Sequence, residues 1–367
     1  MANTSDRQFM TRALALAQNG RGWTSPNPMV GAVIVRNGQV VAEGCHRCKG
    51  HDHAEVAALR KAGRRARGAT IYVNLEPCCH TGCTGPCTEA LINAGIARVV
   101  CASLDPNPIV NGKGDRRLRR AGITVERGLL RKEAERLNEA YYGYYRNGRP
   151  YVTLKLAQTI DGRIATITGD SQWISSPGSL KLAHQLRAEN DAVMVGVGTV
   201  RADNPALTVR LVKGRNPYRV VVVGRGPFPA VCQLAKKNTD SRTIVAAIPE
   251  VVEKLSRRTG TSGLTFWKVK PERSGHPDPA DLMRNAAAFG LHSILVEGGS
   301  ALGTALLKAR VVDKIMLVIA PKVIGEGTSS FGDLGIRKLV DAVQLESISV
   351  RQVGPDVVVT GYPKYST

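Results

Sequence analysis

The stretch Leu75-Glu76-Pro77-Cys78-Cys79-His80-Thr81-Gly82-Cys83-Thr84-Gly85-Pro86-Cys87, together with His53-Ala54-Glu55 upstream of it, holds the most informative pattern in the chain. It offers one imidazole, His53, two thiols, Cys78 and Cys87, and a carboxylate, Glu55, next to the imidazole. Zinc binds His nitrogen and Cys sulfur tetrahedrally, and a catalytic zinc keeps three protein ligands and one open position. His53, Cys78 and Cys87 therefore predict a catalytic zinc site.

Glu55 follows the predicted ligand His53 by two residues, at the start of a helix predicted over 54–61. Zinc lowers the pKa of a bound water to about 7, which makes a nucleophile available at neutral pH. A nearby carboxylate that moves the proton contributes on the order of 10²–10⁴ in rate. Residues of these types in this order are typical of hydrolytic zinc deaminases, which act on amino-bearing heterocycles. We predict that Glu55 is the catalytic acid–base residue.

A second set of cysteines offers an alternative. Cys45 and Cys48, with Cys83 and Cys87, have spacings that suit a closed four-thiolate structural zinc site. Such a site has no use for Glu55, which favours the catalytic set. Seven of the eight cysteines lie at or before Cys101, and clustered cysteines near histidines favour metal binding over disulfides in a chain without a secretion signal.

The first part of the chain alternates predicted helices with predicted strands. An Asn-Gly pair at 37–38 predicts a hairpin between two strands. The helices are predicted over 6–19, 54–61 and 88–94, and the strands over 29–35, 39–44, 70–75 and 98–103. We expect a three-layer α/β/α domain over residues 1–147, with the zinc residues at strand-to-helix junctions.

A second α/β domain is predicted over residues 150–367. A length of 367 residues exceeds what one hydrophobic core usually organises. The segment 146–150 is typical of a linker, and new strands are predicted at 151–156, 192–197, 219–224, 243–248, 293–296 and 314–320. The segment 256–279, rich in Gly, Ser, Pro and charge, predicts an irregular excursion within this domain.

The net charge of +21 raises the question of a nucleic-acid partner. The positive excess is spread evenly over both predicted domains, and aromatic residues are only 5% of the chain. The basic cluster 116–120 is interpreted as the solvated face of a helix. The longest apolar runs are far shorter than the ~20 residues that cross a bilayer, and the start lacks a targeting pattern. We expect a cytoplasmic protein that binds neither nucleic acid nor membrane.

The zinc pattern resembles the deaminase half of the bifunctional riboflavin-biosynthesis deaminase–reductase family. Eight residues separate Cys78 from Cys87, whereas tRNA adenosine and free-cytidine deaminases use a short Pro-Cys-x-x-Cys. The resemblance implies a cytidine-deaminase-like fold, a phosphorylated pyrimidine ribosylamine as substrate, and substrate contacts from Asn27 and His46. Cys83 stands where the family usually has Arg or Lys, so that cationic contact does not carry over to this chain.

The glycine-rich segment 296–305 predicts a strand that turns into a helix, where backbone N–H groups can hold a pyrophosphate. With 155–157, 161–163, 171–175 and 199–210 it resembles the reductase half of the same family, which implies a dihydrofolate-reductase-like α/β fold and NADPH. The implied cofactor-binding residues are Ala157, Trp173, Thr199, Asp203, Gly299, Ser300, Ala301, Leu302, Gly303, Thr304 and Ala305. The implied substrate-binding residues are Ser171, Arg187, Leu207, Arg210 and Glu297. The two arginines also suit bidentate contacts to a phosphate.

The second half of the chain differs from the family pattern at one place. After the strand predicted at 219–224 the family usually has Asp-Ser, and this chain has Gly224-Arg225. A cofactor contact from that serine cannot be carried over to Gly224, although Arg225 would favour the 2′-phosphate of NADPH.

The resulting hypothesis is a bifunctional zinc-dependent and NADPH-dependent enzyme, expected to form a homo-oligomer. It hydrolytically deaminates 2,5-diamino-6-(5-phosphoribosylamino)pyrimidin-4-one and then reduces the ribosyl to the ribityl side chain. Two alternatives stay open at this point. One is a nucleoside or tRNA deaminase with an accessory domain, and the other is a zinc-containing binding protein without catalysis.

Overall fold

The structure is a computed structural model that describes residues 4–81, 85–224, 226–229, 231–258, 260–261 and 263–365. The chain divides into two compact units, Met1–Asn147 and Gly148–Thr367. Each unit has its own sheet and its own core, and each is described by itself below.

The first unit is built on one five-stranded sheet. Its strands are β1 (Gly31–Arg36), β2 (Gln39–Cys45), β3 (Thr70–Val73), β4 (Arg98–Cys101) and β5 (Thr124–Arg127). Its helices are α1 (Thr4–Ala17), α2 (Ala54–Ala62), α3 (Cys87–Asn93), α4 (Lys113–Arg120), α5 (Arg131–Leu137) and α6 (Glu139–Asn147). The strand order is β2-β1-β3-β4-β5, with β1 antiparallel to both neighbours and β3, β4 and β5 parallel.

Alternate residues of each strand enter two separate cores, one on each face of this sheet. Ala32 and Ile34 pack with Ala54 and Ala58 of α2 on one face. Val33 and Val35 pack with residues of α1 and α5 on the other face. This is the period of two expected for a sheet buried on both sides, and it produces the predicted three layers.

The predicted hairpin is present. Arg36 pairs with Gln39, and both Asn37 and Gly38 have positive φ, at 50° and 74°. Asn and Gly tolerate this left-handed conformation, which a tight hairpin requires at both central positions.

The basic cluster 116–120 lies on α4, as predicted, and Arg117 forms an ion pair with Glu89 at 2.7 Å on the exposed side.

The second unit is built on a nine-stranded sheet and a separate two-stranded sheet. Its strands are β6 (Tyr151–Thr159), β7 (Arg163–Thr166), β8 (Ala192–Gly196), β9 (Tyr218–Val223), β10 (Thr243–Ala247), β11 (Thr265–Lys268), β12 (Ser293–Glu297), β13 (Lys314–Ala320), β14 (Gly327–Ser329), β15 (Gln344–Val353) and β16 (Asp356–Lys364). Its helices are α7 (Pro177–Glu189), α8 (Val197–Asp203), α9 (Gln233–Lys236), α10 (Pro249–Ser256), α11 (Pro279–Ala288) and α12 (Ser300–Lys308).

The large sheet has the order β11-β10-β9-β8-β12-β6-β13-β16-β15. Strands from β11 to β13 pair in parallel, and β16 runs antiparallel to β13 and β15. Helices α11 and α12 cover one face, while α8, α9 and α10 contribute to the core on the other. The carboxyl ends of β6, β8, β9 and β12 therefore meet at one edge, where open α/β sheets bind their ligands.

All six strands predicted in this unit are present, with ends shifted by up to three residues. The prediction of an irregular segment over 256–279 is wrong in part, because β11 lies inside it. The strand is only four residues long and lies at the sheet edge, so its polar surroundings hide its pattern. Among the described residues no helix is long and apolar enough to cross a membrane.

Candidate active sites

Three elements of the first unit bring the predicted zinc ligands together. His53 directly precedes α2, Cys87 is the first residue of α3, and Cys78 lies in the loop after β3. His53 Nδ1 lies 3.2 Å from Cys87 Sγ and 3.5 Å from Cys78 Sγ. Within the described part of the chain this is the one group of three such donors, all within 4.8 Å of one another. One imidazole nitrogen and two sulfurs fit zinc, with a fourth position left for a reactant.

Close packing of α2 on β2 fixes His53. A side-chain carbon at Gly44 would lie only 2.1 Å from the Ala54 carbonyl oxygen and 2.5 Å from the Ala58 nitrogen. Glycine at this position therefore lets the start of α2 rest directly on the strand. Cys45 and Cys48, the other half of the four-thiolate alternative, do not belong to the donor group, and Cys83 lies outside the described residues.

Glu76 fixes the segment that carries Cys78. Its carboxylate is buried and accepts backbone N–H groups from Asp105 at 3.2 Å, Gly112 at 2.9 Å and Asp115 at 3.1 Å. Asp115 belongs to the first turn of α4, where a carboxylate is favoured by the helix dipole. Glu76 therefore ties the residues before Cys78 to the loop 105–115.

Hydrogen bonds among the three predicted ligands set their protonation. Those from Cys87 and His53 hold the pKa of Cys78 well below its usual value, at about 4. The same contact raises the pKa of Cys87, because Cys87 is the donor. The hydrogen bond to Cys78 raises the pKa of His53. The site is therefore built around an anionic sulfur, the form in which cysteine binds metal.

Glu55 lies in the same pocket. It is 3% exposed and in hydrogen-bond contact with Cys87. Burial, followed by the charge of Cys78, raises the pKa of Glu55 to about 7. A carboxyl group of this kind can accept and return a proton at neutral pH.

Asn27 and His46 lie beside the predicted zinc ligands. Asn27 Nδ2 is 3.2 Å from His46 Nε2, and the rings of His46 and His53 are 5.3 Å apart. His46 Nδ1 is 3.0 Å from the Asp52 carbonyl oxygen, which can only accept, so His46 Nδ1 carries the hydrogen. Nε2 then accepts the Asn27 amide, which leaves the Asn27 carbonyl oxygen available for a ligand.

In the second unit a buried ion pair lies at the carboxyl edge of the sheet. Glu297 ends β12, and Arg187 of α7 donates to both of its oxygens, from Nε at 2.7 Å and Nη2 at 2.6 Å. Burial would raise the pKa of Glu297, but Arg187 and Lys155 outweigh it and lower the pKa. The Arg187 guanidinium donates to both oxygens of Glu297. It therefore does not offer the bidentate contact to a phosphate that was expected of it.

Lys155 is a polar residue that the sequence analysis did not assign. It pairs directly with Glu297 across β6 and β12 and is 8% exposed. Burial lowers the pKa of Lys155, and the Glu297 charge opposes that effect. The sequence carried a signal for this residue, because a lysine within the mostly apolar segment 151–157 is rarely buried unless it is paired.

Arg210 lies near this cluster, because its charge and those of Arg187 and Glu297 all act on His184. It is exposed, its Nη1 donates to Thr208 Oγ1 at 2.7 Å, and its backbone N–H donates to His184 Nδ1 at 2.9 Å. Burial, with the charges of Arg187 and Arg210, lowers the pKa of His184 to about 4. Leu207 is buried in the core beneath, with a φ of 52°.

The predicted glycine turn begins α12. Gly298 and Gly299 have φ of 65° and 76°, and a side-chain carbon at Gly299 would lie 3.0 Å from Thr199 Oγ1. Both glycines therefore keep the backbone open next to Thr199, as a bound phosphate requires.

Some of the later residues in the predicted cofactor-binding stretch 299–305 are buried against the core of the second unit. Gly303 makes room for Leu154, whose Cδ1 would lie 3.3 Å from an added carbon. Thr304 is buried, donates to the Ser300 carbonyl oxygen and accepts from the Gly332 N–H group. Leu302 packs partly against the core, whereas Ala301 is exposed.

The remaining predicted residues lie on nearby loops and strands. Ser171 Oγ donates to Asp203 Oδ1 at 3.4 Å, which brings a predicted substrate residue to a predicted cofactor residue. Trp173 is 64% exposed, and its carbonyl oxygen accepts from Lys322 Nζ at 2.6 Å. Ala157 lies on β6 and packs against a small core that includes Val318. Arg225 lies outside the described residues.

Two family models match the chain. The model described as cytidine and deoxycytidylate deaminase zinc-binding region matches residues 3–103, and the RibD C-terminal domain matches residues 150–359. These matches confirm the predicted fold class of both halves and the predicted cofactors, zinc and NADPH.

Full-length relatives give the same result. Riboflavin biosynthesis protein RibD of Escherichia coli is 43% identical over 375 residues, covering 96% of this chain and 98% of the relative. The RibD protein of Aquifex aeolicus is 42% identical over 360 residues, covering 98% and 99%.

Solved structures extend the similarity to three dimensions. Acinetobacter baumannii RibD has a TM-score of 0.87 at 33% identity, covering 98% of this chain and 99% of that one. A Thermotoga maritima diaminohydroxyphosphoribosylaminopyrimidine deaminase/5-amino-6-(5-phosphoribosylamino)uracil reductase has a TM-score of 0.85 at 35% identity, with the same coverage. The chain therefore belongs to the RibD family, the bifunctional deaminase–reductases of riboflavin biosynthesis.

Proposed function

We propose that this chain deaminates 2,5-diamino-6-(5-phosphoribosylamino)pyrimidin-4-one and then reduces the ribosyl group of the product to a ribityl chain. We assign the deamination to residues 1–147 and the reduction to residues 150–367. The observation that carries the proposal is the buried Glu55 beside the donor group His53, Cys78 and Cys87. The Thermotoga relative, whose name states both reactions, supports the choice of substrate.

His53, Cys78 and Cys87 would hold the zinc in the first reaction. Zinc bound there would lower the pKa of the attacking water and place a positive charge at the reaction centre. Glu55 would take one proton from the attacking water and give it to the ring nitrogen, and would then take the second proton of the same oxygen and give it to the departing amine. Asn27, through the carbonyl oxygen that His46 leaves available, accepts from a polar hydrogen of the pyrimidine.

The second reaction adds a hydride to the anomeric carbon and a proton to the nitrogen attached to it. NADPH supplies the hydride. Glu297, held by Arg187, accepts from the hydroxyl groups of the opened ribose, and Lys155 is the proton-bearing group at the same end of β6 and β12. Ser171 and Arg210 hold the other end of the substrate, where the exposed Arg210 is suited to the phosphate.

The cofactor contacts are proposed for the edge that carries Thr199 and the start of α12. Gly299, Ser300 and Ala301 would offer backbone N–H groups to the pyrophosphate, because they form the first turn of a helix. Ala157, Trp173 and Asp203 would line the same region. Leu302 and Ala305 follow on α12, while Gly303 and Thr304 would shape the turn from within.

We also propose a cytoplasmic homo-oligomer that binds small molecules and no nucleic acid. The even distribution of positive charge and the low aromatic content support the absence of a nucleic-acid partner. Light scattering on the purified protein measures the number of subunits. A salt-dependent RNA gel shift at micromolar protein would contradict the proposal and favour a tRNA deaminase.

One experiment separates the two reactions. The purified protein receives the diaminopyrimidine substrate with and without NADPH, and ammonia release and NADPH oxidation are measured independently. We expect ammonia in both cases and NADPH oxidation only after deamination. The Glu55→Gln variant should retain zinc, measured by atomic absorption. Its rate of ammonia release should fall at least a hundredfold (~10²). Full ammonia release by that variant would overturn the assignment of Glu55, and zinc without turnover of either substrate would favour a binding protein.

A further inference from the structure

The turn between β15 and β16 packs against the beginning of α7. Asp356 is the first residue of β16 and pairs with Val353 across this turn. A side-chain carbon at Gly178 would lie 3.3 Å from Val353 Cγ1, and one at Gly354 would lie 3.5 Å from Ser176 Oγ. The end of the chain is therefore in direct contact with the start of the helix.

A buried carboxylate joins these two elements. Asp356 is 1% exposed, and its Oδ2 accepts from the Ser176 N–H group at 2.8 Å and from Ser176 Oγ at 2.7 Å. Ser176 is the N-cap residue of α7, and its Oγ accepts from the Ser179 N–H group at 3.4 Å. Burial would raise the pKa of Asp356, but the hydrogen bonds that it accepts outweigh this effect and lower the pKa. The carboxylate is therefore ionised at neutral pH, and its negative charge is favoured at a helix N-terminus.

The segment 171–176, which leads into α7, carries two residues of the proposed reductase site. Ser171 is proposed to bind the substrate, and Trp173 is proposed to line the cofactor region. Trp173 precedes Ser176 by three residues, and Ile174 between them is buried. A fixed position for Ser176 therefore limits the positions that the Ser171 and Trp173 side chains can take.

The other contacts of this segment lie on its exposed side. Ser171 Oγ donates to Asp203 Oδ1 at 3.4 Å, near the limit of a hydrogen bond. The Trp173 carbonyl oxygen accepts from Lys322 Nζ, again on the exposed side. The two bonds from Ser176, by contrast, go to a buried carboxylate, and bonds to an ionised acceptor are roughly twice as strong as neutral ones. The end of the segment at Ser176 is therefore the one that the fold fixes.

We propose that Asp356 is a positioning residue of the reductase site, which fixes the segment 171–176 through Ser176. This inference rests on the proposed reductase function. Without Asp356 the segment takes several conformations, and only one of them places Ser171 and Trp173 against their ligands. A ligand that binds one conformation binds more weakly in proportion to the population of that conformation. The bound complex is unchanged, so KM should rise while kcat stays the same.

The test measures NADPH oxidation with the deaminated intermediate in the full-length, zinc-loaded protein. In the Asp356→Ala variant the KM for NADPH and the KM for the intermediate should each rise about tenfold, with kcat changed less than twofold (~2). Ammonia release belongs to the first unit and should not change. Asp356→Asn keeps an oxygen that can accept both bonds, so its KM values should stay within about threefold of wild type. Hydrogen exchange over 171–176 should be faster in Asp356→Ala than in Asp356→Asn.

Two serine variants give a milder test that does not depend on the folding of Asp356→Ala. Ser176→Ala removes one of the two bonds to Asp356 and should raise both KM values about threefold. Ser293→Ala is the matched control, because the Ser293 N–H group and Oγ donate to one oxygen of Asp191, at 3.1 Å and 3.3 Å. Ser293 begins β12, at the opposite end of that strand from Glu297, so its replacement should change the KM values less than twofold (~2).

Unchanged KM values in a folded Asp356→Ala variant would overturn the proposal. Equal rises in KM for Ser176→Ala and Ser293→Ala would also overturn it, because both would then reflect a general loss of stability. Wild-type protein that does not oxidise NADPH would instead refute the reductase function on which the inference rests.

Discussion

Replacing Glu76 by Gln should destabilise the first unit, because Glu76 is the acceptor for three buried backbone N–H groups. One oxygen, Oε2, accepts from Asp105 and Gly112, and the other, Oε1, accepts from Asp115. A glutamine can keep its carbonyl oxygen at the Oε2 position. Its amide nitrogen then faces the Asp115 N–H group, so that two donors oppose each other where water cannot enter.

The magnitude follows from these contacts. An unsatisfied buried donor costs about 1–3 kcal/mol, and loss of the charge weakens each remaining bond by roughly 0.5–1 kcal/mol. We expect a loss of about 3 kcal/mol in the free energy of unfolding. For a unit of this size that corresponds to a fall in Tm of about 10 °C.

Calorimetry of the whole, zinc-loaded protein measures this change, and the transition that shifts on addition of a chelator belongs to the first unit. Since Glu76 lies just before Pro77 and Cys78, zinc should also bind about tenfold more weakly. Glu89→Gln is the matched control, because Glu89 is 42% exposed and its ion pair with Arg117 should contribute less than about 1 kcal/mol. A Tm within about 1 °C of wild type, with unchanged zinc affinity, would refute the role assigned to Glu76.

Three further predictions concern the metal, the buried ion pair and pH. Removal of zinc by a chelator should abolish ammonia release and leave NADPH oxidation with the deaminated intermediate intact, because all three ligands lie in the first unit; loss of both activities would contradict this. Arg187→Lys should lower NADPH-dependent turnover and destabilise the second unit by about 3 kcal/mol, because one buried carboxylate loses its bidentate partner. Arg284→Lys is its control, because the Arg284 side chain is 62% exposed in its ion pair with Asp281. His184, with its pKa lowered to about 4, contributes stability that is fully present above about pH 6.5 and is lost as the pH falls toward 4. Urea unfolding at several pH values should show up to ~1.4 kcal/mol per pH unit there, and His184→Gln should remove that slope.

Local chemistry explains why the donor group could be predicted from the sequence. The donors His53, Cys78 and Cys87 each lie at the beginning of a helix or in the loop after a strand, and their spacing follows from those short elements. The hairpin at Asn37 and Gly38 was predictable for a similar reason, since two neighbouring residues supply the required backbone conformation. Patterns of this kind depend on neighbours in the chain.

The two edge strands of the large sheet were not predictable in this way. Strand β11 has four residues, and β15 has mostly exposed side chains, so neither shows a buried periodicity. What stabilises them is pairing with β10 and β16, which the local composition does not reveal.

The sequence by itself determined the α/β class, the donor group proposed to bind zinc with its neighbour Glu55, and the glycine turn before α12, because residue type and short spacing carry that chemistry. Only the tertiary structure decided that Arg187 donates to the Glu297 carboxylate and that Lys155 lies beside it. The tertiary structure also decided that Glu76 accepts three backbone N–H groups. It decided as well that Asp356 accepts two hydrogen bonds from Ser176. Each of these contacts joins residues far apart in the chain, and distance along the chain gives no information on which side chains meet when the sheet forms.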